Sequence, residues 1–192
     1  MHLRNLALGV AALTSAALMT NTVSAADNIR IALIEPFSGP VAGIGRDTLE
    51  GFEFYIDRIN AAGGVLGGRK LEVVPLDNVM NAEKTTQQLR KAIDMGIRYV
   101  SQGVGSNHAL NIIKSLKKYN KRNPGKEVMY FNYSAVTTAF TNSLCMFWHF
   151  RFDHNVDQKV AALTSFMGND KDVKKVYMIN QNYAYGQSFQ KA

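Results

Sequence analysis

Apolar residues along this chain follow two alternating rhythms: short runs of β-branched and aliphatic residues, then stretches in which apolar positions return every three or four residues. Ile29 to Ile34 is the first run, closed by Pro36 and the glycine-spaced loop Ser38 to Gly45. A helix is expected from Asp47, with Asp47 and Glu50 as a capping-box pair and Leu49, Phe52, Ile56 and Ile59 on one face. Gly63 and Gly64 supply its stop. The rhythm then repeats: strand Lys70 to Leu76, helix Ala82 to Met95, strand Ile97 to Ser101, a helix from Ser106 burying Ala109, Ile112, Ile113 and Leu116, and strand Glu127 to Phe131. Tyr133 to Phe152 breaks it, as a long connection rich in Thr, Asn and aromatic residues. Connections of that length in compact domains are usually functional or pass between lobes. A helix from His154 to Met167, a strand from Val173 to Ile179, a loop with Tyr183 and Tyr185, and the opening of a helix at Gly186 complete the pattern. Strands alternating with helices predict an α/β fold, a parallel sheet covered by helices on both faces.

The first residues read differently. Arg4, an apolar run from Leu6 to Met19 and the small residues around Ala25 form a secretory signal peptide. The run is too short and too interrupted for a membrane span, which needs about 20 apolar residues. Cleavage after Ala25 or Ala26 is expected to release a soluble, exported chain. Residues 26–148 then form an N-terminal lobe, and 149–192 a hinge crossover and the start of a second lobe that reads as truncated, because the last helix has neither cap nor tail.

Charge adds little. The 22 Lys and Arg against 15 Asp and Glu give +7, but the basic residues gather at 114–126 and 171–175, around helix ends and turns, where solvated charge is the ordinary reading. Nucleic-acid binding is not expected. Cys145 stands alone, so in an exported chain it is either buried and inert or paired beyond residue 192.

In an open parallel sheet, ligands bind beyond the carboxyl ends of the strands. Of the four such loops, Gly103-Val-Gly105-Ser106 is the most telling, since it joins a strand directly to a helix. Free amides at that helix start, with the Ser106 hydroxyl, would suit carboxylate or phosphate oxygens. Equally, Ser106 is an N-cap behind a glycine turn. A dinucleotide site is disfavoured because His108 stands at the third glycine of the fingerprint, and GGVLGGRK fails as a phosphate loop because Arg69 replaces its lysine. Cys145, His149, Asp153 and His154 match no closed metal site, and Ser106, His108 and Asp153 lack the G-x-S-x-G elbow of a hydrolase. No enzyme activity, metal or cofactor is expected.

IALIEPFSGPVAGIGRD, INAAGGVLGGRKLEVVPLDN and GIRYVSQGVGS, in that order, resemble the first lobe of type I periplasmic binding proteins of the branched-chain amino acid class. The resemblance implies that fold, with the first lobe nearly complete, and a receptor in the periplasm that captures an amino acid, amide or other aliphatic or aromatic carboxylate for an ABC transporter permease. It also implies site residues. A carboxylate would be held by Ser106 beside Gly105, and by Ala135 with Val136 or Thr137. Asp153 would meet an ammonium, Tyr185 would close over the solute, and Ile44 stands where relatives carry an aromatic contact. The disulfide of many relatives is replaced by Met80 and Gly105. Alternatives are a sensory receptor domain of the same fold and, further off, a Rossmann-type enzyme.

Overall fold

The computed structural model describes residues 27–192, so the signal segment lies outside the described residues. Five parallel strands form one sheet in the order β2-β1-β3-β4-β5: β1 Ile29–Glu35, β2 Leu71–Asp77, β3 Tyr99–Gln102, β4 Met129–Asn132 and β5 His149–Arg151. Between them run α1 Ala42–Ala61, α2 Ala82–Asp94 and α3 Ser106–Arg122, with α4 Val156–Asn169 and α5 Ala184–Lys191 after β5. The chain leaves β1 to one side for β2, then crosses back to β3, so the order reverses at β1 and β3. This is the switch point at which the loops of neighbouring strands diverge and leave a crevice.

Alternation along the strands sorts their side chains. Ala32, Ile34, Leu76, Val100 and Tyr130 pack against Leu89 and Ala92 of α2 and Ala109, Ile112, Ile113 and Leu116 of α3. Each fully buried Leu or Ile contributes about 1.5–3 kcal/mol. Two buried or half-buried asparagines lock a helix to the strand it feeds. Asn60 donates to Leu71 O and accepts from Leu71 N, both at 2.8 Å, and Asn120 treats Val128 the same way at 3.0 and 2.9 Å.

Four details depart from the sequence reading. Helix α1 begins at Ala42, and Asp47 and Glu50 are exposed residues inside it with no capping role. Gly45 is what permits this, because a Cβ there would lie 2.2 Å from Pro36 O, so the first turn packs directly on the loop behind β1. Second, the long connection is not a free loop. Phe140 is buried in it, Leu144 and Met146 pack on the core, and His149–Arg151 pairs with Tyr130–Asn132 as the edge strand β5. Third, Val173 to Ile179 forms no strand: Val176, Tyr177, Met178 and Ile179 are exposed, with no neighbouring strand among the described residues to take their backbone groups. Finally, Cys145 is exposed, which removes the buried alternative and leaves a partner beyond residue 192 as the remaining expectation. Among these residues no helix is long and apolar enough to cross a membrane.

Candidate functional site

At the carboxyl ends of β3 and β4 the loops enclose a cavity of about 320 Å³. Its walls come from the start of α1 (Ile44), the loop after β3 (Gly103 to Ser106), the loop after β4 (Ser134 to Val136), Asp153 and Lys159 around the start of α4, and Tyr183 and Tyr185 at the start of α5. Six of the eight residues singled out from sequence for ligand contact meet around it besides Ile44: Gly105, Ser106, Ala135, Val136, Asp153 and Tyr185 are all in its wall, while Thr137 is not.

A larger hollow of about 690 Å³ opens at the opposite edge of the sheet, beside Arg30, Arg69 and Arg98. Its guanidiniums are committed: Arg30 donates to Met95 O, Arg69 to Asp27 O at 2.7 Å, and Arg98 to Glu127 O and Gly125 O at 2.9 Å. Strand carboxyl ends, not amino ends, carry ligands in this architecture.

Ser106 is the first residue of α3, and the N-cap position belongs to Gly105, at φ 90°, with no side chain capping the helix. The Ser106 hydroxyl is therefore not used as a cap. Glycine is required at 105 twice over, by that left-handed φ and because a Cβ would lie 2.6 Å from His108 Cδ2. The same Cβ would lie 3.3 Å from Met80 Cε, so Met80 and Gly105 are neighbours.

The amides of the turn that leads into the helix are already taken. Glu35, wholly buried at the end of β1, accepts from Gly103 N at 2.6 Å and from Val104 N at 3.3 Å through Oε1, and Tyr133 Oη donates to the same oxygen. What remains for a ligand is the first turn of α3, where His108 N and Ala109 N already close on Gly105 O but the preceding amides have no intrahelical acceptor. Burial pushes the Glu35 carboxyl up to about 7, against the lowering effect of its hydrogen bonds from Tyr133, Gly103 and Val104. Burial, and then the neighbouring Glu35 charge, raise the Tyr133 phenol well above its ordinary value.

The β4 loop is similarly pre-shaped. Asn132 Oδ1 accepts from Ser134 N at 3.2 Å and Ala135 N at 2.7 Å, while its amide donates to Ala135 O at 2.7 Å. The Ala135 N–H is thus engaged within the loop, and its carbonyl oxygen keeps one lone pair. Ser134 Oγ donates to Gly103 O at 3.2 Å and ties this loop to the β3 turn. Val136 packs with Val156, Val160, Tyr185 and Phe189. That packing carries the next residue past the cavity, so Thr137 lines a separate hollow of about 380 Å³ with Asp157 and Ser188.

Asp153 reaches the cavity already engaged, with Oδ2 2.6 Å from Lys159 Nζ and Oδ1 accepting from His154 N at 2.7 Å. The pair brings one charge of each sign to the wall. Tyr183 and Tyr185 stand together with ring centroids 6.1 Å apart, and Ala184 N donates to Asn107 Oδ1 at 3.3 Å, which joins α5 to α3. Lys159, Tyr183, Ser134 and Glu35 were not singled out as site residues from sequence. Only Glu35 carried a usable signal, as a carboxylate at the carboxyl end of a central strand.

Neither histidine of interest is placed for catalysis. His108 Nδ1 is 2.9 Å from Thr85 Oγ1 on α2, away from Ser106, and burial lowers its pKa. His149 stacks on Tyr130 at 4.9 Å, and burial brings it down to about 4. No group of three His, Cys, Asp or Glu among the described residues could hold a metal ion.

Comparison with known proteins places the chain. Residues 28–192 match the profile of the periplasmic binding proteins. The Leu/Ile/Val-binding protein homolog 4 of Brucella abortus is 35% identical over 165 residues, which cover 85% of this chain and 39% of that protein. The chain therefore spans about two fifths of the length of the curated relatives it matches. Among solved structures, the leucine-, isoleucine-, valine-, threonine- and alanine-binding protein of Brucella ovis, in its closed conformation, superposes with a TM-score of 0.75 at 34% identity, covering 85% of this chain and 42% of that one. A solute-binding protein from Rhodopseudomonas palustris in complex with benzoate shares the fold with a TM-score of 0.70 at 23% identity, covering 85% and 44%.

Proposed function

The chain belongs to the periplasmic binding protein family, and on that premise we propose that it is the solute-capturing component of an ABC transporter. In this reading it works in the periplasm, takes up branched-chain amino acids or related small carboxylates, and hands them to a membrane permease without making or breaking a bond. In this reading the first lobe, expected from sequence over residues 26–148, extends through β5 to Arg151, and the chain beyond it crosses by a hinge into the second.

The observation that carries the reading is the meeting of three kinds of group on one cavity. Ser106 and the open first turn of α3 offer donors to a carboxylate, strengthened by the helix dipole. Val136, Ile44, Tyr183 and Tyr185 offer an apolar and aromatic wall to a side chain. Lys159 and Asp153 place a charge pair between them, so an ammonium reaches Asp153 only by sharing it with Lys159. Closure of two lobes about a hinge would remove water from these contacts and present the closed form to the permease.

A thermal-shift screen with branched-chain amino acids, their amides, benzoate and NAD tests this. A solute at a hundred times its Kd adds about 2.7 kcal/mol, so at least one amino acid or carboxylate should raise the melting temperature. A shift with NAD alone, or with none of these solutes, would overturn the assignment.

A further inference from the structure

We propose that Glu35 is the positioning residue of this cavity, holding the Gly103–Val104 turn through one carboxylate oxygen, and that a proton on its other oxygen sets how tightly the site holds an anionic group. The inference rests on the reading of the cavity as a solute site.

The geometry is lopsided. Oε1 takes three donors, Gly103 N, Val104 N and Tyr133 Oη, while Oε2 is buried with no partner at all. Gly103 and Val104 lead into Ser106, and Tyr133 precedes Ser134, so this single carboxylate joins the two loops that form facing walls of the cavity. Without it, two buried amides and a buried phenol would lose their acceptor together.

Its charge is poorly compensated. The titratable groups around it are Tyr133 and Tyr130 from β4 and its loop, Asp77 in register with it on β2, and His108 of α3 behind Gly105. None of these brings a positive charge against the carboxylate: Asp77 and the two tyrosines are acids, and burial disfavours the charged form of His108. The nearest cation of the cavity wall, Lys159, is held by Asp153. Burial accordingly lifts the Glu35 carboxyl to about 7. An ionised Glu35 under the turn repels an anion bound at Ser106, and a proton on Oε2 removes the repulsion while Oε1 keeps its three donors. By linkage, the bound anion raises the proton affinity of Glu35 in turn. Affinity for an anion therefore falls as pH rises through about 7.

Two measurements decide this. In the uniformly ¹⁵N-labelled chain without added solute, the Gly103 and Val104 amide resonances should titrate together with a midpoint near 7. E35Q, which keeps an acceptor but has no charge to lose, should abolish that titration, while E35A should strip both amides of exchange protection. Amides that do not titrate, or that titrate alike in E35Q, overturn the proton on Glu35, and amides that keep their protection in E35A overturn its positioning role, whether or not any solute binds. Calorimetry then uses benzoate, an anion without an ammonium, beside L-isoleucine. Benzoate should bind about fivefold more weakly at pH 8.5 than at pH 5.5, the lower end of ordinary site coupling, and E35Q should bind it with a flat profile. Equal pH dependence in E35Q overturns the proton linkage. Binding of neither probe at any pH overturns the solute reading and the linkage together, while the amide titration still judges Glu35.

Discussion

The ring of Tyr133 lies across Gly103 so closely that a Cβ on the glycine would sit 2.4 Å from Tyr133 Cε2. The tyrosine cannot easily swing aside, because its hydroxyl is bonded to buried Glu35 and its ring meets Phe52 edge-on at 6.2 Å. Gly103→Ala should therefore cost about 1–3 kcal/mol through overpacking, read as a lower melting temperature, and should weaken solute binding as the β3 turn shifts. A variant that melts and binds like the parent would show that the two loops are not wedged together.

Ser106 provides the opposite case, a buried residue whose loss should be felt in binding and scarcely in folding. It does not cap α3, so Ser106→Ala should leave the melting temperature within the range of a neutral change, about 0.5 kcal/mol. Ser106 lines the cavity, and a hydrogen bond from its hydroxyl to a charged group is worth about 1.5–3 kcal/mol, which amounts to roughly ten- to a hundredfold in Kd. Calorimetry with the best solute of the thermal-shift screen measures the second, differential scanning calorimetry the first. Large destabilisation with unchanged affinity would return Ser106 to a structural role.

How much of this was legible in the sequence depends on whether the determining contact is local. The alternation of β1, α2, β3, α3 and β4 was legible because each element buries its own periodic face, and the loop after β3 followed from topology. Strand β5 was not, since three residues flanked by loop give no period, and only the hydrogen bonds offered by β4 make His149–Arg151 a strand. The Val173 to Ile179 run shows the converse, strong local preference without a partner ladder. At the site, Gly105 and Ser106 announced themselves through glycine spacing. The capture of the Gly103 and Val104 amides by Glu35 spans 68 and 69 residues, and no window of sequence shows it.

The start of α1 can be tested with its two neighbouring glycines. Gly43 and Gly45 both lie in the first turn, yet a Cβ at Gly43 meets nothing within 4 Å while one at Gly45 would strike the Pro36 carbonyl at 2.2 Å. Gly43→Ala should stabilise the protein by about 0.5–1 kcal/mol, the usual gain inside a helix. Gly45→Ala should destabilise it by about 1–3 kcal/mol, because backbone rather than a flexible side chain must yield. Were the helix to begin near Asp47, both positions would lie in a loop and the two substitutions would not diverge in sign; paired thermal melts decide.

Stability should carry the signature of Glu35 even with no solute present. Its carboxyl is raised from 4.5 to about 7 on folding, so over that interval the folded state binds the proton that the unfolded chain has released. Its contribution is complete below pH 4.5 and is lost as pH rises to about 7, by about 3 kcal/mol for a shift of this size. His108 and His149 act in the opposite direction: both are lowered by burial, His149 to about 4, so their contribution is lost as pH falls below 6.5. The two slopes oppose one another across much of the same window, and the parent protein alone would show only their difference. Glu35→Gln removes one of them. Denaturant melts of parent and variant at several pH values should therefore show the parent's advantage over the variant shrinking steadily from pH 4.5 to 7 and constant above. A gap that stays constant through the interval would mean that Glu35 is ionised from the start, with its buried charge compensated by something other than the three donors on Oε1.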